Sequence, residues 1–100
     1  MKMLERTIQR RILAYLKTLP CCHCFKVAQG MYSTAGISDI ICCCNGKFIA
    51  IEVKNEKGKP TALQVKFLNT IKQKGGVAMI ARSVNDVKKL NLCKEDKDEV

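Results

Sequence analysis

Two carboxylates and a lysine flank the strongest turn signal in the sequence. Two β-rich runs are separated by Asn45-Gly46, a dipeptide typical of a two-residue hairpin. If these residues form a type I′ turn, Asp39 faces Glu52 and Lys54 projects from the same side of the sheet. Like charges placed directly opposite each other destabilise a sheet. The pair is therefore predicted to share a proton or to bind a cation.

The chemistry of such a pair favours a hard cation. Carboxylate oxygens on rigid strands suit Mg²⁺ or Mn²⁺, and a phosphodiester would supply further oxygens. The alternative is that Asp39 caps a turn while Glu52 and Lys54 pair as surface charges. Both faces of the hairpin are otherwise apolar, so we expect it to be central in the sheet and covered on each side. One face carries Ile41, Cys43, Phe48 and Ala50, and the other carries Ile40, Cys42, Ile49, Ile51 and Val53.

Two further polar residues lie on the apolar faces of predicted helices. Glu5 falls within the apolar arc that contains Ile12 and Leu16, which predicts a carboxylate directed at the sheet near the same cation. Its alternative role is to stabilise the helix dipole from the first turn. Gln64 follows the same pattern on the second helix, but with Thr61 it also matches a capping box. Both interpretations of each residue stay open.

The elements needed to position these residues fit one small α/β domain. The chain has 100 residues, the size of a single domain. Periodicity and turn signals predict helices over 3–17, 61–74 and 83–90 and strands over 22–28, 39–44, 47–54 and 77–81, in the order αβββαβα. We expect the domain to span residues 1–93 and residues 94–100 to form a charged, flexible tail. The amino terminus lacks the uninterrupted apolar core of a signal peptide, and no run approaches the ~18 apolar residues of a membrane span, so a cytoplasmic protein is expected.

The cysteines form tight groups instead of a spaced framework. The sequence has 7 of them, and six lie in two clusters: Cys21, Cys22 and Cys24, then Cys42, Cys43 and Cys44. Clustering argues against disulfides that staple loops, and alternation along a strand argues against a zinc site. We therefore predict reduced cysteines that act as small apolar residues, with His23 as a strand residue. The alternative is a metal or redox site built on Cys21, Cys22, Cys24 and Cys93.

The charge balance predicts a polyanionic partner. The net charge is +9, and four of the acids lie in the last seven residues, so the body of the chain is more basic still. Such a body attracts nucleic acid, the commonest polyanion in a cytosol. The alternative is a soluble basic protein with no such partner.

Taken together, these residues resemble the VRR-Nuc family within the PD-(D/E)XK nuclease superfamily. The resemblance rests on Glu5, Gly36-Ile37-Ser38-Asp39, Ile51-Glu52-Val53-Lys54 and Gln64 in this order, and it covers about Leu4 to Leu90. Ser38 stands where the superfamily name has proline, a position that is not a metal ligand. The resemblance implies an α/β nuclease core with a mixed central sheet flanked by helices, a requirement for Mg²⁺ or Mn²⁺, and no organic cofactor. Short standalone members of this kind are phage or prophage proteins that dimerise and cut branched DNA such as four-way (Holliday) junctions.

The resemblance also implies a role for each residue. Asp39, Glu52 and the Val53 carbonyl would hold the metal, with Glu5 contributing directly or through water. Lys54 would orient the attacking water and offset charge on the phosphate, and Gln64 would hold Lys54 or the water in place. The residues predicted to contact the DNA backbone are Arg6, Arg10, Arg11, Lys26, Lys57 and Lys59. A homodimer would supply the two cuts that a junction needs.

Two other functions fit the same residues. One is a flap or nonspecific DNA nuclease, which the motifs do not separate from a junction-cutting enzyme. The other is a nucleic-acid-binding module without catalysis, in which the acids are structural.

Overall fold

A computed structural model describes residues 3–28 and 34–93 of the chain. Its elements are α1 (Glu5–Leu16), β1 (Cys22–Lys26), β2 (Ile40–Cys44), β3 (Lys47–Val53), α2 (Ala62–Gln73), β4 (Val77–Ala81) and α3 (Val84–Lys88). The predicted order αβββαβα is confirmed. The predicted tail, 94–100, lies outside the described residues. Within the described ranges, no helix is long and apolar enough to cross a membrane.

The four strands form one mixed sheet in the order β1-β2-β3-β4. Neighbouring strands are antiparallel except for β3 and β4, which are parallel. The β2–β3 turn has positive φ at both central residues, 53° at Asn45 and 82° at Gly46, as a type I′ turn requires. The predicted register is confirmed, since Cys44 pairs with Lys47 and Ile40 with Ile51. The hairpin is also central in the sheet, as expected.

Helices α1 and α3 cover one face of the sheet. Burial of apolar area is the main force that holds them there. The buried core on this face consists of Ile8, Ile12, Leu16, Ile40, Cys42, Cys44, Ile49, Ile51, Val53, Ala81 and Val87. The core contains all five hairpin residues predicted for one side, Ile40, Cys42, Ile49, Ile51 and Val53, together with Cys44, the apolar face of α1, and one residue each from β4 and α3.

Helix α2 covers only part of the opposite face. Leu68 packs there against Ile41, Ala50 and Ala78. The expectation that the hairpin is covered on both sides is wrong at its turn end, where Cys43 is exposed and Phe48 is 45% exposed. Among the described elements, the helix on this face is α2, which packs mainly on β4 and less on β3.

The cysteines depart from the expected behaviour. Disulfides join Cys21 to Cys93 and Cys22 to Cys44, so the prediction that the cysteines are reduced apolar residues is wrong for these four. The clustering argument failed because the two clusters lie on neighbouring strands, where Cys22 is directly opposite Cys44, and because Cys21 pairs with Cys93, which lies in neither cluster. Cys24, Cys42 and Cys43 are free thiols. His23 lies in the edge strand β1, as predicted, and is exposed.

Candidate metal centre

The two carboxylates of the hairpin meet at one end of the two central strands, β2 and β3. Asp39 directly precedes β2 and Glu52 is the second-last residue of β3, so continuing the register by one pair places them opposite each other. The Val53 N–H donates a hydrogen bond of 2.8 Å to Asp39 Oδ2. This contact joins β3 to the residue before β2, 14 positions away in the chain. A residue that caps a turn would instead bond to a backbone group within a few positions of itself. It fixes the Asp39 carboxylate beside Glu52.

Glu52 is a buried acid with an incomplete set of partners. Its side chain is 2% exposed, and Oε1 has no hydrogen-bond partner within the described part of the chain. Oε2 lies 3.6 Å from Lys54 Nζ, and the Lys54 side chain is itself only 13% exposed. Glu52 and Lys54 therefore form a pair, but a buried one and not the surface pair that the alternative interpretation predicted.

The electrostatics of Glu52 are those of an acid that a nearby cation would stabilise. Burial and, after it, the negative charge of Asp39 raise the pKa of Glu52 from 4.5 to about 7, even though Lys54 acts in the opposite direction. A divalent cation would offset both effects and would supply a partner for Oε1. The donor set, two carboxylates on rigid strands, fits Mg²⁺ or Mn²⁺.

Glu5 approaches this site from α1, of which it is the first residue. A Cβ added at Gly58 would lie 2.7 Å from Glu5 Oε2 and 3.3 Å from Lys54 Cδ, so the Glu5 carboxylate and the Lys54 stem border the same small space. The carboxylates of Glu5, Asp39 and Glu52 do not all lie within 4.8 Å of one another. Within residues 3–28 and 34–93, only cysteines form groups of three metal-binding side chains whose ligand atoms lie within 4.8 Å of one another. Of the two routes predicted for Glu5, contact through water is the one that this geometry favours.

Arg82 holds the turn beside Glu5 and was not predicted from sequence. Its Nη1 donates to the Asn55 carbonyl at 2.6 Å and to the Gly58 carbonyl at 2.8 Å. The Asn55 side chain also accepts a hydrogen bond from the Gly58 N–H at 2.8 Å. One signal could have indicated Arg82, because parallel strands end at the same edge and Arg82 directly follows β4.

Gln64 has a structural role at the start of α2. Its Oε1 accepts from the Thr61 N–H at 2.9 Å while the Thr61 hydroxyl accepts from the Gln64 N–H at 3.2 Å. The capping-box interpretation is therefore confirmed, and it accounts for Gln64 without a catalytic role. The loop before Asp39 packs on this helix turn, because Gly36, with φ 74°, lies so close to the Leu63 carbonyl that a Cβ would clash with it.

The predicted DNA contacts are all accessible. Arg6, Arg10, Arg11, Lys26, Lys57 and Lys59 are exposed. Lys26 ends β1 opposite Ile40, next to Asp39, and Lys57 and Lys59 lie in the segment after β3. Three of the six basic residues thus lie near the same strand ends as the carboxylates. The other three lie on α1.

The crowding at Gly58 gives a prediction about stability. We expect Gly58→Ala to lower the free energy of unfolding by about 1 kcal/mol, the low end of the cost of overpacking, because the added methyl group meets the Glu5 carboxylate, which lies at the end of a flexible side chain. Urea denaturation of four proteins (the wild type, Gly58→Ala, Glu5→Ala and the double variant) measures the coupling. The two changes should be non-additive, with Gly58→Ala costing much less when Glu5 is alanine. Additive effects would show that Glu5 does not occupy this space.

Comparison with known proteins identifies the fold. A solved structure described as "VRR_NUC domain protein" superposes with a TM-score of 0.71 at 17% identity, covering 91% of this chain and 87% of that one. A second, described as "VRR_NUC domain", also has a TM-score of 0.71, at 22% identity, covering 87% of this chain and 92% of that one. No protein-family model matches the sequence, and no curated protein matches it. The chain therefore has the VRR-Nuc fold over most of its length.

Proposed function

We propose, from the VRR-Nuc fold of this chain and the carboxylates at the edge of its sheet, that the protein is a metal-dependent DNA endonuclease. Its substrate is branched DNA, such as a four-way junction, and it acts as a homodimer in the cytoplasm. One observation carries the proposal: Glu52 is buried beside Asp39 and Lys54, with one carboxylate oxygen lacking a partner in the described chain. A buried carboxylate oxygen in a purely structural role is rarely left without a hydrogen-bond partner.

Asp39, Glu52 and the Val53 carbonyl would hold the metal, and Glu5 would reach it through water. A bound Mg²⁺ or Mn²⁺ polarises a scissile phosphate and lowers the pKa of water, so that hydroxide is available near neutral pH. The Val53 N–H keeps Asp39 oriented toward the site. In this way the hairpin supplies both ligands before any metal or DNA arrives.

Lys54 is the proposed catalytic cation. Its ammonium group lies 3.6 Å from Glu52 Oε2 and is mostly shielded from solvent, so its charge acts in a site of reduced dielectric. There it can donate a hydrogen bond to the attacking water and offset the charge that develops on the phosphate. The exposed basic residues at the same edge and on α1 would bind DNA phosphates, which sets affinity without reading base sequence.

The test compares four DNA substrates of matched sequence: a four-way junction, a flap, a duplex and a single strand. With Mg²⁺ or Mn²⁺ we expect the junction to be cut faster than the others, and with chelator no substrate should be cut. Preferential cutting of the flap, or equal cutting of all four, would replace the proposed substrate by the flap or nonspecific alternative. Binding without any cutting would leave a nucleic-acid-binding module.

The dimer is tested separately. Sedimentation at the protein concentrations used for cleavage should give the mass of a dimer, and both strands of a junction should be nicked within one complex. A monomer that cuts junctions at full rate would contradict the dimer while leaving the nuclease proposal intact.

A further inference from the structure

Six of the seven cysteines lie together at the end of the sheet opposite to the carboxylates. Cys22 opens β1 and Cys44 ends β2, where they pair with each other, and Cys24 pairs with Cys42 further along. Cys21 lies in the turn before β1, and Cys93 lies in the turn that follows α3. We refer to these residues, Cys21, Cys22, Cys24, Cys42, Cys44 and Cys93, as the cysteine cluster. Cys43 points to the other face and is exposed.

The sulfurs of the cysteine cluster are close enough to share a metal ion. The sulfurs of Cys21, Cys22 and Cys93 lie within 4.8 Å of one another, and so do those of Cys22, Cys24 and Cys44. The Sγ atoms of Cys21 and Cys22, which are not bonded to each other, are 3.5 Å apart. In a tetrahedral zinc site with Zn–S bonds of about 2.3 Å, neighbouring sulfurs are about 3.8 Å apart. Cys22 belongs to both groups, so the sulfurs of Cys21, Cys93 and Cys44 surround its own, each within 4.8 Å of it.

Four of these residues are better placed as ligands than the other two. Cys21, Cys22, Cys44 and Cys93 lie at strand ends or in turns, where small backbone and side-chain adjustments are possible. Cys24 and Cys42 lie within strands, at the middle pair of the β1–β2 ladder, where the backbone is held on both sides. Their thiols contact each other instead.

We propose that, in the reduced protein, Cys21, Cys22, Cys44 and Cys93 bind one Zn²⁺ as thiolates. Binding releases one proton from each thiol. A disulfide oxidant can replace the ion, because each of the two protein disulfides forms with loss of two electrons while the oxidant is reduced to two thiols. A dithiol reductant reverses the exchange and restores the zinc ligands.

A metal cross-link would have a clear structural benefit. The Cys21–Cys93 link joins residues 72 positions apart and ties the last described turn to the start of the sheet. Closing a loop of this length restricts the unfolded chain. Disulfides are rare in a reducing cytosol, whereas zinc makes an equivalent link from reduced thiols. This inference does not depend on the nuclease proposal, since the cysteine cluster and the carboxylates lie at opposite ends of β2.

The test uses the full chain, reduced with a dithiol under argon and freed of metal. Titration with Co²⁺ should give the absorption of a tetrahedral thiolate site, and Zn²⁺ should displace Co²⁺ at one ion per chain. Cys93→Ser should weaken Zn²⁺ binding by more than about a hundredfold, since even outer partners of a metal ligand contribute about 10- to 100-fold. Cys43→Ser is the matched control and should bind like the wild type. Oxidation by a disulfide should release the Zn²⁺ and remove four free thiols.

Three results would overturn the zinc site: reduced wild type that retains no Zn²⁺, Co²⁺ spectra without sulfur charge-transfer bands, or equal binding by Cys93→Ser. If Cys93→Ser fails to fold, the Co²⁺ spectrum of the wild type decides alone. Asp39→Asn should leave the Zn²⁺ stoichiometry unchanged, and its loss in that variant would assign the ion to the carboxylates instead. Cleavage activity enters none of these readouts, so failure here and failure of the nuclease proposal are distinguishable.

Discussion

Replacing Glu52 with glutamine is expected to abolish DNA cleavage and, at the same time, to stabilise the metal-free protein. Cleavage should fall by roughly a thousandfold or more, because a bound metal contributes several kcal/mol and each ~1.4 kcal/mol is a factor of ten in rate. The gain in stability arises because Glu52 is a buried acid beside Asp39. Glutamine keeps the shape of the side chain and removes the charge.

The stability effect depends on pH in a defined direction. Burial, together with the charge of Asp39, raises the pKa of Glu52 from 4.5 to about 7, so the folded state holds this proton more tightly than the unfolded state does. The contribution of the protonated Glu52 to the free energy of unfolding is therefore fully present below about pH 4.5, and it is lost as the pH rises through about 7. The groups that act on it are Asp39, which raises its pKa, and Lys54, which lowers it. Glu52→Gln should thus gain nothing near pH 4 and roughly 3.5 kcal/mol near pH 8, since the pKa is higher by about 2.5 and each pKa unit corresponds to ~1.4 kcal/mol.

Urea denaturation with chelator at pH 4.5 and pH 8 measures this difference. Glu56→Gln is the matched control, since Glu56 is an exposed acid in the turn after β3 and should behave like the wild type. Added Mg²⁺ should stabilise the wild type at pH 8 but not Glu52→Gln, because only the wild type binds it. A variant that is less stable than the wild type at pH 8 without metal would show that the Glu52 carboxylate is already satisfied by protein groups.

The second large effect is expected for Lys54→Met. Methionine keeps most of the apolar stem of the side chain and removes the ammonium group that lies 3.6 Å from Glu52 Oε2. Cleavage should fall by about 10²–10³, as when a preorganised donor to the developing charge is removed. Binding of Mn²⁺ should persist, because the carboxylates remain and have lost a competing cation.

Lys57→Met is the control for this variant. Lys57 is exposed in the following turn and is proposed to contact phosphate only, so its loss should weaken DNA binding and leave the rate of the bound complex nearly unchanged. Cleavage of saturating junction DNA by both variants separates the two roles. Equal losses in Lys54→Met and Lys57→Met would show that Lys54 acts only through general electrostatic attraction.

The hairpin that carries the site was predictable from sequence for a simple reason. A type I′ turn at Asn45-Gly46 admits only one register, and that register alone places Asp39 opposite Glu52. The placement of Glu5 toward the sheet followed from its position in the apolar arc of α1. These are local or nearest-neighbour relations, which sequence patterns report well.

The features that sequence did not reveal depend on distant packing. Arg82 reaches the turn at Asn55 only because β4 lies parallel to β3, a pairing that no local pattern specifies. The Cys21–Cys93 link depends on where the chain returns after α3. The exposure of Phe48 depends on how far α2 extends across the sheet. Gln64 was ambiguous because one side chain fitted both a cap and a catalytic role.

The most direct test of the metal centre is Mn²⁺ binding followed by electron paramagnetic resonance at pH 8, on the wild type, Asp39→Asn and Glu52→Gln. Mn²⁺ prefers carboxylate oxygens to thiolates, so the cysteine cluster does not compete for it. We expect saturable binding to the wild type and a loss of affinity of at least about tenfold in each variant. Equal Mn²⁺ affinity in all three proteins would contradict the claim that Asp39 and Glu52 together hold the catalytic ion.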